Sequence, residues 1–341
     1  MMKSKTAVLL LNIGTPDSPE TFKVRKYLFE FLNDKRVIDI PWLLRKMLVN
    51  FIIVPFRAPR SAKLYQKLWT WEGSPLLFHG VSVQQKLQQK LGEGYIVEFA
   101  TNYQRPNIKE VVEKVLKQNV NRIIAFPLFP QYASSTTGSA IEKLLKILAH
   151  EYKIPAITTI LQYYDHPLYL EAMAARIFDY DYLSYDHILI SYHGLPINQV
   201  NKSHYGKACE HYNCTIEVTE QNQYCYHASC YATSRLLAEK LNLDENRYTV
   251  CFQSRIAKNW LSPFTDEVIT TLAKEGKKRL LVICPSFTAD SLETTIEIGH
   301  EYKDLFLQNG GTKLTIVESL NDSERWVDAI GEMISEKKNL Q

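Results

Sequence analysis

The sequence lacks the glycine-rich fingerprints that bind nucleotide phosphates. Residues 12–16, which follow the first apolar run, hold a single glycine and form no G-x-G-x-x-G motif, and the chain contains no P-loop. Neither sign of charge predominates either, because 40 basic residues are balanced by 37 acidic ones and the formal net charge is +3. We therefore do not expect a dinucleotide, a nucleoside triphosphate or a nucleic acid as the partner.

Long hydrophobic runs are missing as well. The longest apolar stretch, residues 40–56, contains Arg45 and Lys46, and the apolar run at 7–11 is too short for a secretory signal. We expect a cytoplasmic protein. Residues 22–67 nevertheless hold eleven basic and three acidic residues, a local charge of +8. Stretch 40–56 is therefore expected to touch the inner face of a membrane peripherally, and the alternative is a helix buried in the first domain.

Short apolar runs alternate with helical patterns along the whole chain. This alternation predicts an α/β fold with two parallel sheets of four strands, flanked by helices and separated near residues 165–167. The predicted strands are 6–12, 95–102, 122–126, 154–160, 187–192, 248–253, 279–284 and 313–317. The predicted helices include 20–32, 81–91, 107–117, 139–151, 167–178, 234–241, 265–275 and 292–307.

Ligands of parallel sheets bind beyond the carboxyl ends of the strands, and His193 follows such an end. A neutral imidazole there can accept a proton near pH 7 or bind a metal. The alternative is a hydrogen-bonded histidine at the sheet edge.

An acidic series follows the strand at 279–284. Glu293 and Glu297 stand four residues apart on a predicted helix, and Asp290 precedes them. Such carboxylates can relay protons or hold a divalent metal, whereas the plain alternative is a solvated helix face.

Aromatics, prolines and hydroxyls crowd residues 126–139 after another strand. The composition suits a large flat apolar ligand with anionic edges, since hydroxyls and helix-start amides can receive carboxylates. The alternative is a capped loop that merely starts the next helix.

Four of the six cysteines fall within one loop, with the spacing C-x4-C-x10-C-x4-C. They are Cys209, Cys214, Cys225 and Cys230. A cytosolic chain does not rely on disulfides, so the quartet favours a [2Fe-2S] cluster first, Zn²⁺ second and free thiols third. The neighbouring His204, His211 and His227 keep a zinc site with mixed ligands open.

Several of these motifs occur together and in order, and together they resemble the ferrochelatase family. The matching segments are residues 11–16, 73–76, 130–139, 191–196, 252–255 and 285–294. The sequence departs from the animal members of the family at Asn102 and Ser291, where those carry arginine and histidine. The resemblance covers nearly the whole chain, and the His193 and Glu293 motifs together make it specific.

The resemblance implies two Rossmann-like domains of the chelatase type. Residues 1–165 would form the first, with a lip at 40–56 over the porphyrin, and residues 166–320 the second, with a cysteine-rich loop at 204–230. A terminal helix within 321–341 would pack back on the first domain. The implied activity is that of a lyase-class metal chelatase, which inserts Fe²⁺ into protoporphyrin IX with release of two protons in the last step of haem biosynthesis.

The resemblance also implies roles for individual residues. His193 would be the base and, with Glu293, would contact the substrate Fe²⁺ across the porphyrin, while Asp290 and Glu297 would carry protons or guide iron. No cofactor is required for this chemistry. The residues expected to bind the porphyrin are Ile13, Tyr132, Ser134, Ser135, Thr136, Thr137, Trp260 and Phe287.

Other functions remain open at this point. A chelatase for another metal or for coproporphyrin III belongs to the same class, and a haem or porphyrin carrier without turnover, or a redox sensor built on the cysteines, belongs to another. The presence of both His193 and Glu293 favours an enzyme over a carrier.

Overall fold

Two four-stranded parallel sheets form the frame of the chain, which is seen here in a computed structural model that describes residues 5–339. The strands are β1 (Lys5–Asn12), β2 (Tyr95–Thr101), β3 (Val120–Pro127), β4 (Ala156–Thr159), β5 (His187–His193), β6 (Tyr248–Gln253), β7 (Arg279–Ile283) and β8 (Lys313–Ile316). Their order is β2-β1-β3-β4 in the first sheet and β6-β5-β7-β8 in the second. The predicted α/β class with two parallel sheets is confirmed.

Helices connect the strands. They are α1 (Thr21–Leu32), α2 (Trp42–Met47), α3 (Val54–Leu68), α4 (Pro75–Leu91), α5 (Ile108–Leu116), α6 (Ser139–Leu148), α7 (Pro167–Phe178), α8 (Ile197–Asn201), α9 (Tyr226–Lys240), α10 (Thr265–Lys274), α11 (Lys303–Gln308) and α12 (Glu324–Asn339). Leu48–Ile53, Ser134–Gly138 and Leu292–Tyr302 have π-helical geometry. Within the described residues, no helix is both long and apolar enough to cross a bilayer.

The chain divides into two compact units. Unit 1 comprises the described residues of Met1–Phe129 together with Ala133–Gln162 and Asn321–Gln341, and unit 2 comprises Pro130–Tyr132 and Tyr163–Leu320. The first unit therefore contains the sheet β2-β1-β3-β4 and α12, and the second contains the sheet β6-β5-β7-β8.

The core of unit 1 follows from the periodicity of its elements. Strand β1 lies between two neighbours, so its run of apolar side chains is buried on both faces. Helix α5 places its buried residues at the spacing of one helical face, and Asn107 caps it by accepting the Glu110 N–H at 3.0 Å. These buried residues are Ile108, Val111, Val112 and Val115.

Unit 2 repeats this arrangement. Strands β5 and β7 are central and buried, and Ile269 of α10 and Phe306 of α11 pack against them. Because β5 and β6 are parallel, His193 pairs in register with Gln253. The ends of these two strands therefore lie at one edge of the sheet.

The helix α12 packs on α4 within unit 1. Asp322, just before α12, receives His79 Nδ1 at 2.8 Å, the Ser82 hydroxyl at 2.6 Å and Lys86 Nζ at 3.1 Å. Partial burial acts to raise the pKa of the Asp322 carboxyl, but donation from Ser82, Lys86 and His79 outweighs it and lowers the pKa below its usual range. This carboxylate therefore ties the start of α12 to α4.

We expect Asp322→Ala to lower the free energy of unfolding by about 2 kcal/mol at pH 7, because hydrogen bonds to a charged group are lost. The folded pKa is depressed, so this stabilisation is present above the unfolded pKa of about 3.9 and disappears as the pH falls through the folded value. Urea unfolding at pH 7 and at pH 3 measures both effects. The control Asp328→Ala, whose more exposed carboxylate pairs with Lys90, should change stability by less than about 1 kcal/mol, and equal losses in the two variants would contradict this role.

Candidate active site

His193 stands at the end of β5, and its ring is oriented by a backbone hydrogen bond. Nδ1 lies 2.6 Å from the carbonyl oxygen of Gly194. A carbonyl only accepts, so Nδ1 carries the hydrogen, and in the neutral imidazole Nε2 keeps its lone pair. The Tyr226 hydroxyl donates to the His193 carbonyl at 3.0 Å and fixes the backbone. The side chain is thus prepared to accept a proton at Nε2.

Two aromatic rings flank this imidazole. The ring centres of Trp260 and Phe287 lie 6.5 Å and 6.4 Å from that of His193. Trp260 is held there because Leu261 N–H donates to Leu195 O at 2.9 Å, and a Cβ on Gly194 would lie 2.9 Å from the Gln253 carbonyl oxygen. Glycine at 194 therefore permits the close approach that brings His193 and the two rings together.

Glu297 is the most strongly bound carboxylate of this site. It accepts the Ser254 N–H at 2.8 Å, the Ser254 hydroxyl, and the Tyr302 hydroxyl at 2.9 Å. Burial raises the pKa of Glu297 despite the donors, with a further increase from the charge of Glu293 and an opposing effect from His193. The charges of Glu293 and His193 therefore both act on the carboxyl of Glu297.

The backbone around these carboxylates departs from ordinary geometry. Glu293 and Glu297 lie on the π-helical segment Leu292–Tyr302, where an α-helix was predicted. Ser254 has a φ of 62°, which is rare for a residue other than glycine and turns its N–H and hydroxyl toward Glu297. π-Helical turns and strained residues both concentrate at functional sites.

The remaining predicted residues take separate positions. Asp290 accepts the Ser319 N–H at 3.1 Å and thereby anchors the chain after β8. Tyr132, in unit 2, packs edge-on against Tyr224 with ring centres 5.7 Å apart.

In unit 1, the predicted hydroxyl run forms the short π-helical segment Ser134–Gly138. Ser134, Ser135 and Thr136 are half-buried, whereas Thr137 is fully buried. Arg36 donates to the Ser134 hydroxyl at 2.8 Å and also pairs with Glu142. Ile13 is half-buried, and its carbonyl accepts the Tyr103 N–H at 3.0 Å. Among these residues, Arg36 is a cation that the sequence analysis did not single out.

The cysteine-rich segment contains a buried group that can hold a metal ion. Its donor atoms belong to His204, Cys209, Cys214 and Cys225 and all lie within 4.8 Å of one another. Hydrogen bonding from Cys209 and Cys214 lowers the pKa of the Cys225 thiol. The structure thus brings together three of the four predicted cysteines and adds His204.

Cys230 does not belong to this group. Helix α9 begins at Tyr226, eight residues before the predicted start, so Cys230 lies inside a helix and not in the loop. It is fully buried near Tyr226 and Tyr192, where desolvation raises the pKa of its thiol. The helical repeat of buried residues through Cys230 and Leu237 was the sequence signal that could have placed it in the core.

Comparison with known proteins finds a similar fold in a sirohydrochlorin chelatase. SirB from Bacillus subtilis with Fe³⁺ has a similar fold, with a TM-score of 0.57 and 12% identity over 98% of this chain and 95% of that one. The sirohydrochlorin chelatase SirB from Bacillus subtilis subspecies spizizenii, in complex with cobalt, gives a TM-score of 0.52, also at 12% identity and the same coverage of both chains.

The chain belongs to the ferrochelatase family, whose model matches residues 5–338. It is 42% identical over 334 residues to the ferrochelatase of Legionella pneumophila strain Paris, covering 98% of this chain and 99% of that one. It is 40% identical over 341 residues to that of Coxiella burnetii strain Dugway 5J108-111, covering 99% and 95%. The resemblance stated from the motifs is confirmed.

We expect Ser254→Gly to raise the pKa of Glu297 further, because the charged carboxylate loses the hydroxyl donor while the positive φ suits glycine. Carbon-13 NMR titration of protein labelled at glutamate carboxyls, with Glu297→Gln to identify the signal, measures the shift. Ser184→Gly removes a hydroxyl that donates to Asp181 O and should leave this titration unchanged. A Glu297 signal that titrates alike in wild type and Ser254→Gly would show that Ser254 does not influence the pKa of Glu297.

Proposed function

We propose that this chain inserts Fe²⁺ into protoporphyrin IX at the site formed by His193, Glu293 and Glu297, with release of two protons, to give protohaem. The observation that carries the proposal is the His193 Nδ1 contact with Gly194 O, because it leaves Nε2 unprotonated in the neutral ring. Membership of the ferrochelatase family supports the reaction and its place as the last step of haem biosynthesis.

Proton removal is the first demand of this reaction. A free-base porphyrin carries two N–H protons, and iron enters the ring only as they leave. His193 accepts them one at a time, since Nε2 keeps a free lone pair in the neutral ring. Glu297 is the next acceptor, because burial raises the pKa of its carboxyl and so makes the carboxylate a better proton acceptor.

Iron delivery is the second demand. Fe²⁺ accepts imidazole and carboxylate ligands, so Glu293 is the proposed contact of the substrate iron, opposite the proton acceptor His193. Asp290 is tied to the Ser319 backbone and is proposed to fix the loop before Glu293. No resident cofactor takes part in these steps, and a [2Fe-2S] centre on the cysteine-rich segment would be an addition to them.

Distortion of the flat ring is the third demand. A planar porphyrin resists metal entry, so an enzyme gains rate by binding a bent ring. Trp260 and Phe287 are the proposed contacts of its apolar face, because both rings flank His193. Tyr132 is proposed to join them, and in unit 1 the half-buried hydroxyls of Ser134, Ser135 and Thr136, with Ile13, stay proposed porphyrin contacts.

An apolar surface in unit 1 favours protoporphyrin over coproporphyrin III. Arg45 turns inward to the carbonyls of Ile38 and Ile40, while its apolar neighbours face outward. The exposed side chains are Trp42, Leu43, Leu44, Met47, Phe51, Ile52 and Phe56, each more than half exposed. The exposure of these side chains counts against the buried-helix alternative for them. This surface, the apolar patch, is proposed to contact the cytoplasmic face of a membrane, where an apolar porphyrin collects.

We expect His193→Ala to lower the rate of iron insertion at least about a hundredfold at saturating porphyrin, because the general base is lost. Glu293→Gln should lower it severely as well. Anaerobic initial rates with Fe²⁺ and protoporphyrin IX, followed by absorbance, measure both. His300→Ala, an exposed histidine on the same π-helical segment, is the control and should keep wild-type rates.

Three outcomes would count against the proposal. Near-normal turnover of His193→Ala would show that His193 is not the base. Faster insertion into coproporphyrin III would show that coproporphyrin III is the preferred substrate. Stoichiometric porphyrin binding without turnover in the wild type would indicate a carrier.

We expect the wild-type protein to float with vesicles containing anionic lipid and to be released at high salt, because basic residues near such a surface contribute about 1 kcal/mol each. Phe51→Glu with Phe56→Glu should abolish flotation. Phe178→Glu, which changes an exposed aromatic of unit 2, should not. Flotation of the double variant as strong as wild type would contradict membrane contact through the apolar patch.

A further inference from the structure

The segment between α8 and α9 directs four donor atoms toward one point. His204, Cys209, Cys214 and Cys225 are all buried, and their donor atoms lie within 4.8 Å of one another although the first and last stand 21 positions apart in the sequence. We propose that these four side chains bind a single Zn²⁺ ion as a Cys3His site. This inference is independent of the proposed iron insertion.

The distances match the edges of one coordination tetrahedron. Cys209 Sγ lies 3.6 Å from Cys225 Sγ, and Cys214 Sγ lies 3.8 Å from His204 Nε2. Zn–S bonds of about 2.3 Å in a tetrahedron separate two sulfurs by about 3.8 Å, and Zn–N bonds of about 2.0 Å separate sulfur from nitrogen by about 3.5 Å. Because the two pairs share no atom, they form opposite edges of the same tetrahedron.

A [2Fe-2S] cluster fits this arrangement poorly. Such a cluster distributes its four protein ligands as two pairs on two irons, and ligands on different irons lie farther apart than ligands on one ion. Three of the thiols here lie within 4.8 Å of one another, so they cannot be divided between two irons without moving apart. Cys230, the fourth thiol that the spacing predicts, is fully buried within α9 and absent from the group.

The surroundings support thiolates and fix their positions. Asn222 Nδ2 donates to Cys214 Sγ at 3.6 Å, and Asn201 Oδ1 accepts the Cys209 N–H at 2.9 Å. The ring of Tyr212 stacks on His204 with centres 4.5 Å apart. Partners of this kind orient the ligands of a metal and sharpen its binding. Three thiolates and one imidazole in a closed, buried site are typical of structural zinc.

The site has a consequence for the rest of unit 2. Between α8 and α9 the described backbone has only turns and a short 3-10 helix at Cys209–Tyr212, and its backbone–backbone hydrogen bonds join residues three or four positions apart. Cys225 directly precedes α9, and the next residue, Tyr226, donates to the His193 carbonyl. A zinc ion would therefore fix both the loop and the start of the helix that positions His193.

Metal analysis of the full-length protein tests the identity of the ion. Protein purified anaerobically should be colourless, and elemental mass spectrometry should find about one zinc ion per chain. Growth with Co²⁺ should give the intense visible bands of a tetrahedral ion and a sulfur-to-cobalt charge-transfer band. Two irons and two sulfides per chain with visible absorption, or a chain without bound metal, would overturn the proposal.

Ligand variants test which side chains bind. Cys214→Ser and His204→Ala should lose the zinc, whereas Cys230→Ser and His227→Ala should keep it, although His227 Nδ1 lies 3.6 Å from Cys209 Sγ. His204→Cys should retain the ion and strengthen the cobalt charge-transfer band through a fourth thiolate, a gain that an unfolded loop would not give. Loss of zinc in Cys230→Ser with retention in His204→Ala would assign the site to the four cysteines instead.

Discussion

The parallel register of the second sheet is the constraint on which the site depends. Because β5 and β6 run in the same direction with His193 opposite Gln253, His193 and Ser254 emerge at one edge. Side chains alternate along a strand, so Ser191 and His193 share one face while Tyr192 enters the other. A slip of one residue would bring the imidazole to the position of Tyr192, which is fully buried against Ser234, and so away from the edge of the sheet. The hydrogen bond from Ser191 to the Gln253 side chain at 2.7 Å helps to hold this register.

At the same edge of the sheet, hydrogen bonds offset part of the free-energy cost of burying the Glu297 carboxylate. Removing Glu297 from water disfavours its charge, and three donors from Ser254 and Tyr302 offset that penalty without cancelling it. Glu293 opposes ionisation and His193, when charged, favours it. The ionisation of Glu297 therefore depends on both of the other residues of the proposed site.

Sequence patterns predicted the sheets and the strand-end residues because both depend on local periodicity and on the geometry of parallel strands. His193 and the Glu293 segment were found in this way. The π-helical geometry was not predictable, since the side-chain spacing at 293 and 297 fits an α-helix equally well and only the backbone bonds differ. Cys230 was predicted to lie with the other three cysteines in one loop, and the structure places it in a helix instead. The spacing alone assigns Cys230 to the loop, whereas in the structure Cys230 is buried within α9. The buried donor group contains His204 as its fourth member.

The two proposed metal sites of unit 2 would place opposite demands on their ligands. The proposed reaction site would have to pass iron on to the porphyrin, and it offers a half-buried imidazole and carboxylates instead of thiolates. The thiolate group would have to keep its ion, and a buried Cys3His set favours zinc in that role, since divalent zinc binds a given set of ligands more tightly than divalent iron. A resident zinc would thus also keep the thiols from capturing substrate iron. Selectivity between the two ions would then follow from ligand softness and burial, with no need for a discriminating channel.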